Sequence, residues 1–362
     1  MPAFLNPYFG LTWGSLASYA TSLSLLFFFF FTKEKHKPLW AFILLGILYF
    51  TISSFNYSDG LAIDLIKEFI RFMIVPICAI ELLYRTTKKE IYIILLVGSL
   101  SIIINATIFP TGYGGYNTIL GRYSGFYMNP NYAGYICLIG FALSYSITSK
   151  WLRIIGQLVF TLAGILTLSR GFIVIWLIVN MLSIYNNRKN VVVPMLGVFV
   201  LLVVFALSSM LSLNQERFSA LQSIFDSDTQ VQTKTITDDS RTATWALYSD
   251  IIADNPIFGN GYGKMRDRGS ILPGIHNSYL MVLGEAGIIP FLLMIGIYIH
   301  LLIRSIRDFR KKPENFYLSC VLVLSLMVAH GFFMNFYTVL ITMYVFVEFR
   351  KDNLDSSLIA EA

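Results

Sequence analysis

The sequence predicts an all-α polytopic membrane protein, and three observations predict it. Of the 362 residues, 56% are hydrophobic and only 13% are charged. A soluble globular chain carries roughly 25% charged residues, and the deficit here is filled by repeated apolar runs of about 20 residues, the length of a bilayer-spanning helix. Lys and Arg gather between alternate runs, as they do on the cytoplasmic side of multi-pass proteins. The net charge of +6 therefore reads as a determinant of orientation, and nucleic acid is not an expected partner. Little chain is left for a separate soluble domain, so 1–362 reads as a single integral membrane domain in a lipid bilayer.

Apolar spans set against basic loops give about eleven crossings, within a range of about ten to twelve. They fall at 11–32, 38–57, 63–84, 91–110, 129–148, 154–168, 171–185, 191–211, 276–303, 314–334 and 336–349. The first ends in FFFFF followed by TKEKHK, with no small-residue cleavage site, so it is expected to stay as an anchor. The third holds Asp64, Lys67, Glu68 and Arg71 at spacings of three and four, which suits mutual pairing along one helix face. Between the fourth and fifth spans, TGYGGYNTILGRYSGFYMNPNYAGY reads as irregular backbone at the membrane surface, with Arg122 as its only charge.

The run Ile154–Tyr185 spans 32 residues, or about 48 Å as one helix, against a hydrocarbon core of about 30 Å. One crossing would also split two basic loops between opposite faces. Two short helices meeting at Ser169-Arg170-Gly171 keep the charge pattern consistent and leave Arg170 recessed from the outer surface. An arginine there costs about 3 kcal/mol or more unless an anion or a water-filled cavity receives it; a structural ion pair is the plainer alternative.

Seventeen of the 27 Lys and Arg residues lie in alternate loops, among them Lys33, Arg85, Lys150, Arg188, Arg304 and Arg350. That face reads as cytoplasmic, which puts the C-terminus inside and a large loop, 212–275, outside. Within this loop Arg241 to about Ala253 reads as an amphipathic helix ended by Asn255-Pro256, a lid or shelf on the membrane. His276-Asn277 then stands directly ahead of the ninth span, where an imidazole reaches both solvent and the bilayer boundary. A histidine at such a place is often only a cap or an interfacial residue.

Several chemistries are disfavoured. Cys78, Cys137 and Cys320 all lie inside apolar segments, which suits packing rather than disulfides or thiolate ligands. Asp226-Ser227-Asp228 has the D-x-D form of metal-dependent glycosyltransferases but sits in DSDTQVQTKTITDDS, a composition that favours solvated loop. His276 and His330 without clustered carboxylates do not make a zinc site, so no metal or other cofactor is expected. GNGYG at 259–263 follows no strand and precedes no P-loop Lys-Ser/Thr.

What remains is Arg122, Arg170 and Arg241, with Arg217 as a fourth candidate, and His276. Guanidinium forks bind phosphate oxygens bidentately and keep their charge, so several aimed at one cavity suit a diphosphate. A neutral histidine beside them could take a proton from an attacking hydroxyl while the arginines stabilise the departing diphosphate. Such a set predicts group transfer from a membrane-embedded diphosphate donor.

In order along the chain, GRYSGFYMNPNYAGY, TLSRGFIVIW, SRTATWALYSDIIADNPIFGNGYG and HNSYLMVLGEAGIIPFLLMIG resemble the landmarks of the bacterial O-antigen ligase and O-antigen polymerase superfamily. The resemblance runs from Gly121 to Gly296. It implies an inner-membrane glycosyltransferase with a periplasmic active site, acting without metal and with inversion on an undecaprenyl-diphosphate-linked glycan. It further implies that Arg170, Arg241 and Arg122 bind the donor diphosphate and that His276 is the catalytic histidine. The acceptor is a lipid-linked repeat unit in a polymerase and a sugar of lipid A-core in a ligase; a separate chain-length regulator is a further candidate partner. Ligases of the family typically follow the histidine pair by nine residues and then Gly-x-x-Gly-Thr-Thr. Here Gly287 falls in place but IIPFLL continues, which tilts the reading towards polymerase. A polysaccharide flippase would also need buried arginines, although the halves show no repeat. A noncatalytic assembly partner is the remaining alternative.

Overall fold

The computed structural model describes residues 11–56, 61–109, 121–206, 241–266, 274–329 and 331–361, and among them every regular element is helical. The chain begins with α1 (Leu11–Phe31), α2 (Trp40–Ser53), α3 (Ala62–Arg85) and α4 (Lys88–Thr107). A 3-10 turn at Gly125–Tyr127 leads into α5 (Pro130–Ser144), α6 (Lys150–Leu166), α7 (Arg170–Asn186) and α8 (Val192–Ala206). Two short helices follow, α9 (Arg241–Ala246) and α10 (Ser249–Asp254), and then α11 (Ser278–Ala286) and α12 (Ile288–Arg307). The chain closes with α13 (Pro313–Leu326) and α14 (Tyr337–Glu361). By length and apolar composition α4 and α12 could each cross a bilayer; α2, α7, α13 and Leu16–Phe31 are apolar but shorter.

Three expectations are corrected. The ninth span is not one helix: Gly287 takes φ +77° and divides α11 from α12. The amphipathic helix of the long loop is two pieces, since Leu247-Tyr248 separates α9 from α10. The final helix runs on past 349 to Glu361. The break in the 32-residue run is real, and lies at Thr167–Ser169. Arg217, Asp226, Asp228, His330 and most of 212–275 lie outside the described residues.

The chain forms two compact units. The first comprises 1–21, 87–233 and 308–321. Its helix starts are written in the sequence. Thr87 and Glu90 form a reciprocal capping box on α4, and Asn129 accepts from the amides of Asn131 and Tyr132 at 2.9 and 3.2 Å with Pro130 opening α5. The irregular stretch before α5 meets its hydrogen-bond needs from α4. Asn105 Oδ1 accepts from the amides of Ser124 and Gly125 at 3.4 and 3.2 Å, and Ser101 Oγ from Phe126 at 3.1 Å. Buried loop backbone requires such partners.

The second unit comprises 22–86, 234–307 and 322–362. Its core is aromatic: Tyr49 stacks on Phe333 at 3.8 Å between centroids, and Phe50 and Phe72 meet the same ring at 5.4 and 4.9 Å. At another place in it the fully buried carboxylate of Glu81 bonds His36 Nδ1 at 3.0 Å and Arg85 at 2.9 Å.

Candidate functional site

In the first unit the break between α6 and α7 organises the candidate arginines. Thr167 and Leu168 end α6, with Leu168 in the left-handed region at φ +47°, and Ser169 caps α7 by accepting the Phe172 amide at 3.4 Å. Arg170 is thereby the first residue of α7, and it is exposed. Arg122 is buried beside this break. Its Nε donates to the Thr167 carbonyl at 2.9 Å and its Nη2 to Asn131 Oδ1 at 2.8 Å. The Tyr123 amide donates to the Leu166 carbonyl at 3.2 Å. One guanidinium therefore ties together the entrances of α5 and α7. Both helices present their N-terminal ends there; Asn129 and Ser169 already cap amides of the first turns, and the positive end of each helix dipole favours an anion.

In the second unit His276 is exposed and held at φ +44°, directly before Asn277. Asn277 is buried and caps α11 by accepting from the amides of Tyr279 and Leu280 at 3.0 and 3.2 Å. The three non-glycine residues with positive φ among the described residues, Met128, Leu168 and His276, each stand one residue before a polar N-cap. A left-handed non-glycine residue costs about 1–3 kcal/mol and persists where its surroundings impose it, a pattern that clusters at functional sites. Ser278 Oγ donates to the Ala329 carbonyl at 2.6 Å, and the Tyr279 hydroxyl to that of Val323 at 3.2 Å. Trp245 of α9 donates its indole N–H to the Ile275 carbonyl at 3.1 Å. Arg241 opens α9 one turn earlier; its side chain lies outside the description.

The sequence reading passed over the residues at the far end of α11. Glu285 is fully buried. Its carboxylate accepts from the Met265 amide at 3.3 Å, from Arg266 Nη2 at 3.2 Å and from the Tyr49 hydroxyl. Arg266 also donates to Tyr49 Oη at 2.7 Å and to Glu68 at 3.0 Å, with its guanidinium 4.8 Å from the Tyr262 ring centroid. The expected pairing within α3 is corrected accordingly. Asp64 and Lys67 pair at 3.6 Å, Glu68 is taken by Arg266, and Arg71 lies 5.7 Å from the Phe336 ring. Burial would draw the Arg266 pKa down, but the charges of Glu285, Tyr49 and Glu68 outweigh it and hold the pKa well above its ordinary value. Burial raises the pKa of Tyr262 likewise, with Glu68 adding to the rise. A carboxylate in an apolar run signals a hidden partner, and Glu285 was that signal.

GNGYG is a clasp. The amides of Asn260 and Gly261 donate to the carbonyls of Gly284 and Glu285 at 2.7 and 3.1 Å, closing the loop over the break at Gly287. At Gly261, φ is +98° and a Cβ would stand 1.0 Å from the Asn56 carbonyl oxygen, so no other residue fits. No group of three or more His, Cys, Asp or Glu that could hold a metal occurs among the described residues.

Residues 155–295 match the family model described as O-antigen ligase. No curated protein and no solved structure matches significantly. The matched stretch begins in α6 and ends in α12, and so contains the α6–α7 break, Arg170, Arg241 and His276.

Proposed function

We propose, from the match of residues 155–295 to the O-antigen ligase family model, that this chain is a glycan polymerase of the bacterial inner membrane. Its donor is a glycan on undecaprenyl diphosphate, its acceptor a hydroxyl of the next lipid-linked repeat unit, and its active site faces the periplasm. The observation that carries this reading is the Arg122 guanidinium at the joined entrances of α5 and α7, with Arg170 exposed at the first position of α7. The two helix dipoles and the exposed guanidinium of Arg170 suit this surface to a diphosphate. Arg122, anchored to protein on two sides, shapes that surface, and exposed Arg170 is the arginine suited to meet the donor; Arg241 and Arg217 are further diphosphate ligands.

The reaction needs one bond made and one broken. The acceptor oxygen attacks the anomeric carbon from the face opposite the diphosphate, and the glycosidic C–O bond breaks with its electrons leaving on undecaprenyl diphosphate. Configuration is thereby inverted. The imidazole of His276 takes the acceptor proton, and guanidinium charge balances the oxyanion that departs. No step in this scheme calls for a metal ion. About eleven membrane crossings, with the C-terminus in the cytoplasm, complete the reading.

Ligation to lipid A-core is the second reading, favoured by the description of the matched family; the missing Gly-Thr-Thr after Gly287 favours polymerisation. A glycan ladder from cells lacking the protein, probing surface lipopolysaccharide and the lipid-linked pool together, separates the two. Single repeat units on core with no long chains indicate a polymerase. Bare core with full-length polymer on the carrier indicates a ligase, and an unchanged ladder refutes both.

A further inference from the structure

Resting on the transfer reading, we infer that Glu285, Arg266 and Trp245 are positioning residues: the segment 241–266 is a two-point clamp on α11 that fixes the direction of His276. α11 has nine residues, about 13 Å of helix at 1.5 Å per residue. His276 stands two residues before its first residue, directly ahead of the N-cap Asn277, and Glu285 lies in its last turn. At the histidine end Trp245 Nε1 holds the Ile275 carbonyl at 3.1 Å. At the other end Glu285 receives the Met265 amide, Arg266 and Tyr49, and the loop amides of Asn260 and Gly261 cover the carbonyls of Gly284 and Glu285. The Ile288 amide, past the break, donates to the Pro256 carbonyl at 3.0 Å. One stretch of chain thus grips α11 at both ends.

A helix this short is well under the roughly 12–15 residues at which an isolated helix becomes stable, so its orientation is set by what holds it. Charge is an odd choice for holding alone. A buried ion pair loses in desolvation much of what it gains in attraction, and apolar residues of similar volume often stabilise as well. What a guanidinium adds is direction, because its donors leave in fixed, coplanar directions. Arg266 gives Nη1 to Glu68 of α3 and Nη2 to both Tyr49 of α2 and Glu285 of α11. The rotation of α11 is thereby set against two neighbouring helices, and with it the left-handed turn at His276. Transfer rates are sensitive to such placement, with a displacement of about 1 Å costing up to about 100-fold.

The test uses the full-length protein in nanodiscs with two readouts, amide hydrogen exchange over 275–280 and steady-state transfer with a purified undecaprenyl-diphosphate-linked repeat unit. Glu285→Gln keeps the shape and loses the charge; Trp245→Phe removes one N–H and leaves the ring. Both variants are expected to speed exchange at 275–280 and to lower kcat about 10-fold or more, with KM for the donor within about 2-fold of wild type. The triple variant Glu68→Gln/Arg266→Gln/Glu285→Gln removes every charge of this cluster, and is expected to regain thermal stability without regaining turnover. Recovery of turnover together with stability, a loss confined to KM, or unchanged exchange in Trp245→Phe would each overturn the clamp. Faster exchange in the variants of a wild type that transfers no glycan would support the clamp while refuting the transfer reading.

Discussion

Trp245 donates its indole N–H to the carbonyl of Ile275 at 3.1 Å, one residue before His276. The bond joins the helix that Arg241 opens to the turn that presents the candidate base. It makes the 241–266 segment part of the proposed machinery rather than a cover over it, and bears directly on His276.

His276→Ala should abolish transfer, by at least about 100-fold as for loss of a general base, while the protein still accumulates in the membrane. Turnover measured on equal amounts of membrane protein checks this, and a variant with normal turnover refutes the base assignment.

The two arginines of the first unit should separate. Arg170 is exposed, so Arg170→Lys should leave thermal stability unchanged and lower transfer about 10-fold or more, since a point charge does not replace a fork. Arg122 is buried with hydrogen bonds to Thr167 and Asn131. Arg122→Met should therefore destabilise by roughly 1.5–3 kcal/mol for each charge-assisted bond lost. Melting curves beside activity distinguish the cases, and full activity in Arg170→Lys would make that residue structural.

Gly287→Ala should be destabilising by about 2 kcal/mol or more, since it combines a left-handed φ with overpacking. At φ +77° an added Cβ would lie 2.0 Å from the Ile257 carbonyl oxygen. The lowered melting temperature should be accompanied by faster proteolysis of the 255–266 loop; a variant as stable as wild type would contradict the clasp.

Transfer should survive chelation, and Asp226→Ala with Asp228→Ala should be near neutral. Activity lost in EDTA and restored by Mg²⁺ or Mn²⁺ would return the D-x-D segment to the site.

What was legible in the sequence followed from local signals. The break before Arg170 could be read because a 32-residue apolar run fits neither one crossing nor two full ones, and polar Ser169 marks the place. The break at Gly287 could not, because its neighbours are apolar on both sides and a left-handed glycine leaves no change in hydropathy. Glu68 was assigned to its own helix face, where Asp64, Lys67 and Arg71 lie at pairing distance. Its actual partner, Arg266, is 198 residues away, and only the fold brings the two together. Arg122 was readable as an isolated charge in irregular chain, but its hydrogen bond to a main-chain carbonyl of the α6–α7 break was not. Backbone partners have no residue identity to read.

The most direct measurement is transfer by purified wild-type protein and His276→Ala in nanodiscs, given undecaprenyl-diphosphate-linked repeat units and EDTA. The wild type is expected to give a ladder of lipid-linked polymer and released undecaprenyl diphosphate, and the variant neither. No ladder from the wild type, or the same ladder from His276→Ala, would contradict this expectation.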